Sequence, residues 1–192
     1  MIYWIGYFFC TICSFLFFPL RIIGRENIPE GACILASKHI SNLDPIIVGL
    51  CTRRRTSYMA KDSLFKKGVS WIMFGVGAYP VKRGSADIGS IRESLRRLEN
   101  GEPLVVFPEG TRKRKAGAAP APHPGIALIA VKSGVPVVPV FIRDSNQVLP
   151  PGAKFFRRHT VEVVIGKGMV YPKGSPMEEI AAGIVKEIYS LS

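Results

Sequence analysis

Ala32-Cys33-Ile34-Leu35-Ala36-Ser37-Lys38-His39-Ile40-Ser41-Asn42-Leu43-Asp44-Pro45 opens as an apolar run and closes on polar residues. Residues 32–38 read as a buried strand, and Leu43 to Cys51 as the helix after it. Between them a histidine stands at the strand's end, with an aspartate five residues on. On a single helix that spacing is about 500°, which would hold His39 and Asp44 about 140° apart and prevent pairing. The stretch is therefore strand, loop, helix, with Asp44 as N-cap and Pro45 at the first helical position. A neutral imidazole suits proton removal near pH 7, and a carboxylate on its other ring nitrogen would fix the tautomer and stabilise the imidazolium. Alone, the spacing also fits a surface histidine beside a capping aspartate.

The strand-then-helix unit recurs on both sides. Residues 21–24, 56–61, 78–82, 104–107, 135–142 and 161–165 read as further strands. Residues 124–133 read as a helix, and Ser175-Pro176-Met177-Glu178 is a capping box opening a last helix to Leu191. Residues 87–99 put Ile88, Ile91, Leu95 and Leu98 on one face, with Arg92, Arg96 and Arg97 outward. The alternation predicts an α/β fold, a mostly parallel central sheet flanked by helices. Pro136 and Pro139 place the 135–142 strand near an edge, or interrupt its ladder. Leu64 to Gly77, with Phe65, Trp71, Ile72 and Phe74, reads as a core helix; the alternative is an interfacial helix that dips into lipid or lines an acyl-chain groove. Arg53-Arg54-Arg55 reads as a solvated, membrane-facing loop.

Residues 1–20 carry no charge and would cover about 30 Å as a helix, the thickness of the hydrocarbon core. They divide the chain into a membrane-anchoring hydrophobic helix (1–20) and one domain (21–192). A secretory signal would need a basic start and a small-residue cleavage site, and neither is present. Arg21 and Arg25 follow at once, and a positive flank marks the cytoplasmic side. The expected location is thus a membrane's cytoplasmic face, the inner membrane if the cell is bacterial. Spanning and lying in one leaflet both fit.

Net charge is +12, from 26 Lys and Arg against 14 acids, which predicts an anionic partner such as a membrane surface, a phosphate ligand or an acidic carrier protein. No aromatic RNA-binding pattern, zinc-finger spacing or basic zipper appears, so nucleic acid is not expected. Cys10, Cys13, Cys33 and Cys51 lie in apolar runs and read as reduced packing residues. His123 and His159 lack spaced partners, read as loop or surface histidines, and suggest no metal site.

Strand ends also deliver cations. Lys61 ends one strand, and Val81-Lys82-Arg83-Gly84 ends another. Phe107-Pro108-Glu109-Gly110-Thr111-Arg112 follows a third, where α/β sheets bind ligands. Gly110 permits close backbone approach, Thr111 offers a hydroxyl, and Arg112 can grip a phosphate with two parallel bonds. Glu109 can hold Arg112 or accept from a substrate hydroxyl. A solvated face would scatter such charges, whereas a site would gather them.

These blocks, in order, resemble the 1-acylglycerol-3-phosphate O-acyltransferases (lysophosphatidic acid acyltransferases) of phospholipid synthesis. The matching stretches are His39 to Asp44, Gly77 to Arg83, Phe107 to Arg112 and Val135 to Val140, with Gly24 to Pro29 as a lead-in. Lys38 stands where the family usually has Asn, and Lys113 where Ser often follows. The resemblance implies a glycerol-3-phosphate acyltransferase-like fold and acyl transfer to the sn-2 hydroxyl of lysophosphatidic acid. Acyl-CoA or acyl-[acyl carrier protein] would be the co-substrate, with no bound cofactor. His39 would act as general base steadied by Asp44, and Lys61, Arg83, Glu109, Gly110, Thr111 and Arg112 would bind the acceptor. An acyl-enzyme route would need an activated nucleophile, and no Gly-x-Ser-x-Gly elbow exists. The alternatives are a sibling enzyme using glycerol-3-phosphate or another lysolipid, and a non-catalytic module that binds anionic lipid.

Overall fold

Each strand that alternates with a helix brings one more polar loop to the same edge of a single sheet. In the computed structural model, which describes residues 2–82, 87–110, 122–150, 153 and 155–192, the strands are β1 (Leu20–Ile23), β2 (Ile34–Ser37), β3 (Ser57–Lys61), β4 (Ala78–Val81), β5 (Leu104–Val106), β6 (Val137–Arg143) and β7 (Val161–Ile165). Their order is β1-β7-β6-β2-β5-β3-β4. From β6 to β4 all neighbours are parallel; β7 runs antiparallel to β6, and β1 parallel to β7. The mostly parallel α/β sheet is thus present.

The central strands are apolar on both faces, as a sheet covered on both sides requires. Ile34, Ala36, Leu104 and Val106 point to one core with helices α4 (Ile88–Glu99), α5 (Gly125–Ser133) and α7 (Met177–Ser190). Leu35, Val105, Val138 and Val140 point to the other, under α2 (Asp44–Thr52). Two further helices are short, α3 (Ser70–Gly75) and α6 (Ser145–Val148).

Several expectations change. The N-terminal helix α1 is Ile2–Phe17, not 1–20, and Leu20 already belongs to β1. At 1.5 Å per residue its 16 residues reach about 24 Å, and no described helix is long and apolar enough to cross a membrane. Instead α1 is tied to the domain: Tyr3 Oη donates to Arg54 O at 2.9 Å, and Tyr7 Oη to Leu50 O at 3.4 Å. Residues 64–77 are not a core helix, since α3 buries no side chain and exposes Trp71, Ile72 and Phe74. Arg54 is not a solvated loop residue; its Nη2 donates to Pro29 O at 2.7 Å and its Nη1 to Gly31 O at 3.2 Å.

Arg97 turns inward rather than outward, because Ser57 and Gly77 offer it buried acceptors, while Ile88 is exposed. The proline-bearing strand is central, with Pro139 inside β6 and Pro136 just before it, and the interrupted ladder is the alternative observed, on the β7 side. Pairing of β6 with β7 stops at Val140, next to the missing N–H of Pro139. Gly166 N donates to Pro139 O at 2.9 Å, and a single bridge joins Val137 to Met169. Helix α7 begins after Pro176 with no side-chain cap, so Ser175 does not close the predicted box.

Candidate active site

β2 ends at Ser37, and the chain then turns across the edge of the sheet to α2. Asp44 is not the N-cap. It is the first residue of α2, and its carboxylate folds back into the loop it leaves. Its Oδ2 accepts from the backbone N–H of Ile40 at 2.6 Å and of Ser41 at 2.7 Å, and stands 2.9 Å from His39 Nδ1. Its Oδ1 accepts from Ser145 Oγ at 2.6 Å. Asp44 is wholly buried, so this set of donors is what holds a carboxylate out of water. The imidazole is fixed on a second side by Phe107, whose ring stacks on it with centroids 4.2 Å apart. With Nδ1 facing Asp44, Nε2 is the ring nitrogen left for another partner.

A cavity of about 570 Å³ opens beside His39. Met59, Ile91, Val106, Leu128, Ile129 and Met177 give it apolar walls, while Lys82, Asp87 and His123 bring polar groups. Gly110 lies on the wall with a left-handed φ of +63°, a conformation glycine adopts without steric cost. Asp87 caps α4 by accepting from Ser90 N at 3.1 Å and takes Lys82 N at 2.9 Å. Those backbone N–H groups, Lys82's foremost, hold its carboxyl below the usual range.

Glu109 is buried behind this wall. Its Oε1 accepts from Tyr189 Oη at 2.6 Å, and its Oε2 is buried without a hydrogen-bond partner among the described residues. Burial, and then the Glu109 carboxylate, push the Tyr189 phenol well above its ordinary value. Lys38 sets its ammonium 4.4 Å from the Phe141 ring centroid and 5.7 Å from that of Tyr189, within cation–π range.

The sheet order places the ends of β2, β5, β3 and β4 side by side, so His39, Glu109, Gly110 and Lys61 come to one edge. Lys61 is exposed there, opposite Val81 in the register, and does not line the cavity. Arg83, Thr111 and Arg112 lie outside the described residues. The sequence gives Ser145 no distinguishing context, gives Phe107 no role of its own, and makes His123 a loop or surface histidine. Ser145 and His123 reach the site only through the fold, whereas Phe107 had a signal, its place heading the Phe107–Arg112 block. Burial pushes the thiols of Cys33 and Cys51 up to about 11 and about 12, so neither is an activated nucleophile. No three His, Cys, Asp or Glu side chains converge on a metal position among the described residues.

A mostly parallel α/β sheet with a His–Asp pair beside an apolar cavity is an arrangement suited to base chemistry on an apolar substrate. The chain matches the family described as Acyltransferase over residues 19–143, and it belongs to that family. It is 28% identical to a chloroplastic 1-acyl-sn-glycerol-3-phosphate acyltransferase of Brassica napus, covering 98% of this chain and 56% of that one. It is 27% identical to the 1-acyl-sn-glycerol-3-phosphate acyltransferase of Bacillus subtilis, covering 77% of this chain and 72% of that one. The crystal structure of the 1-acyl-sn-glycerophosphate (LPA) acyltransferase PlsC from Thermotoga maritima superposes with a TM-score of 0.73 at 28% identity, covering 96% of this chain and 78% of that one. The chain spans about half the length of the first curated relatives it matches.

Proposed function

We propose that this chain transfers a fatty acyl group from an acyl thioester to the free sn-2 hydroxyl of 1-acylglycerol-3-phosphate, giving phosphatidic acid. The observation that carries the reading is the His39–Asp44 pair, 2.9 Å apart, at the side of an apolar cavity. A binding module has no need of an oriented base. His39 Nε2 takes the hydroxyl proton as the alkoxide oxygen attacks the thioester carbonyl. Asp44 stabilises the imidazolium without taking its proton. The tetrahedral intermediate collapses, the C–S bond breaks, and the imidazolium returns the proton to the departing thiolate sulfur. The cavity's apolar walls suit an acyl chain. Lys61, Arg83, Glu109, Gly110, Thr111 and Arg112 are assigned to the acceptor's phosphate and glycerol, and Lys82 on the cavity wall joins them. The thioester is carried by coenzyme A or by acyl carrier protein.

The reading places the protein on the cytoplasmic face of a membrane with α1 lying in one leaflet. In support, α1 is shorter than the hydrocarbon core is thick, is tied to the domain by Tyr3 and Tyr7, and exposes Trp4, Ile5, Phe8, Phe9 and Phe15.

The test is purified protein with lysophosphatidic acid and each labelled donor in turn, beside glycerol-3-phosphate and a phosphate-free lysolipid as acceptors. Turnover with lysophosphatidic acid is expected, falling about a hundredfold or more in His39→Ala while the fold is retained. Near-parent turnover in that variant removes the base assignment, and indifference to the acceptor phosphate removes the role given to the cations.

A further inference from the structure

Beyond the far end of α1 lies a segment that the catalytic reading leaves unused. Phe155 is 83% exposed and Phe156 44%, and two exposed arginines, Arg157 and Arg158, follow directly. The segment is held in place. Arg157 N donates to Val148 O at 2.8 Å, and His159 N donates to Phe17 O at 3.1 Å. The ring of Phe156 packs 5.7 Å from that of Phe17, the last residue of α1. A backbone anchored at Arg157 and His159, with the Phe156 ring on Phe17, therefore presents an aromatic tip outward beside the end of α1, where Phe15 and Leu16 are also exposed.

Charge says what this face meets. Among the acids flanking the segment in sequence, Glu162 pairs with Arg143 and with Arg21, which leaves Asp144, 3.7 Å from His159, as a single negative charge against the two arginines. Arg157 and Arg158 thus leave the patch net positive. A second copy docked about a two-fold axis would set these arginines against their own images, which like-charge repulsion opposes. Aromatic tips beside arginines suit a surface that is apolar below and anionic above.

We infer that residues 155–158 form a second lipid-contacting element beside α1. Phe155 and Phe156 enter the acyl boundary, and Arg157 and Arg158 take the phosphates of an anionic leaflet. The inference rests on the membrane reading given above to α1, and adds the site where anionic headgroups are held.

The experiment is co-sedimentation of the full chain with phosphatidylcholine vesicles, with and without phosphatidylglycerol. It compares the parent with Phe155→Ser/Phe156→Ser, Arg157→Gln/Arg158→Gln and a charge-matched control, Lys167→Gln/Lys173→Gln. The arginine variant is expected to lose about tenfold or more in partitioning to phosphatidylglycerol vesicles and little on phosphatidylcholine alone. The phenylalanine variant is expected to weaken on both, and the control to match the parent on phosphatidylcholine and exceed the arginine variant on phosphatidylglycerol. Melting temperatures of the variants should stay with the parent's, since all four side chains are exposed. If the parent binds and both variants bind equally well, the inference fails and α1 alone suffices. Should the parent bind neither vesicle, the membrane reading itself is overturned. A change in the sedimentation of the lipid-free protein on altering the phenylalanines would make the face a contact between copies, and would also overturn it.

Discussion

Asp44 is the residue on which the site's geometry turns, because one buried carboxylate serves the loop, the histidine and a distant hydroxyl together. Asp44→Asn keeps the shape, and its amide oxygen can replace Oδ2 as acceptor for Ile40, Ser41 and His39. Its NH2 group then meets Ser145 Oγ, which can accept as well as donate. What disappears is the negative charge that, in the proposed reaction, faces a developing imidazolium. The difference between a charged and a neutral hydrogen bond, about 1–2 kcal/mol, predicts a roughly five- to thirtyfold fall in turnover with little change in melting temperature. Ser145→Ala should do the reverse. It leaves Oδ1 of a fully buried carboxylate short of its partner and costs about 1–3 kcal/mol of stability. A calorimetric scan beside steady-state kinetics separates the two, and equal melting losses in both variants would contradict the division of roles. His39 and Asp44 were legible in the sequence because five residues of one loop join them. Ser145 was not, since it stands 101 positions from Asp44 and any serine would read the same.

Among the elements, α4 shows where pattern reading gives way to partner reading. Periodicity puts Arg92, Arg96 and Arg97 on the solvent side, yet only the surroundings decide which arginine finds acceptors. Arg97 Nη1 donates to Ser57 Oγ and Gly77 O, each at 2.8 Å, and its Nε to Glu93 Oε1 at 2.7 Å. Its guanidinium also lies 4.7 Å from the Tyr79 ring centroid. Arg96 bonds the same Glu93, but its side chain is 57% exposed against 11% for Arg97. Arg97→Met should therefore cost about 3–5 kcal/mol, by stranding buried acceptors, and Arg96→Met less than about 1 kcal/mol. Denaturant midpoints check the pair, and similar losses would refute the ranking. Glu93 is held down from 4.5 to about 2, first by the bond from Arg96 and then by Arg97. A depressed carboxyl contributes its full stability above its unfolded value and loses it as the pH falls through the folded one. Stability should thus decline between about pH 4.5 and pH 2, with a shallower slope in Glu93→Gln. Pro136 and Pro139, before and within β6, teach the same lesson. Composition suggested an edge or a broken ladder, and only the neighbours β2 and β7 select the second.

For the whole molecule, the alternation of strands and helices was enough to foresee a mostly parallel sheet with its polar loops at one edge. Strand order was not legible, because it depends on which faces pack, and so the meeting of β2 with β5 had to be seen. The N-terminal helix stops at Phe17 although the apolar run continues to Leu20, because apolarity alone does not reveal where a chain leaves a helix to join a sheet. On the membrane reading proposed above, the net charge of +12 and the exposed apolar side chains of α1 would contribute separately to binding, and salt separates them. Screening shortens the Debye length from about 30 Å at 0.01 M to about 3 Å at 1 M, so attraction to an anionic leaflet should fade across that range. Burial of Phe8, Phe9 and Phe15 should not fade, because added salt does not weaken apolar transfer. Partitioning to phosphatidylglycerol vesicles is therefore expected to fall with salt to a plateau well above zero. The plateau should match the salt-independent partitioning to phosphatidylcholine, and Phe8→Ser/Phe9→Ser should lower it. A curve that falls to nothing would mean that charge alone holds the protein at the surface, with α1 facing something other than lipid.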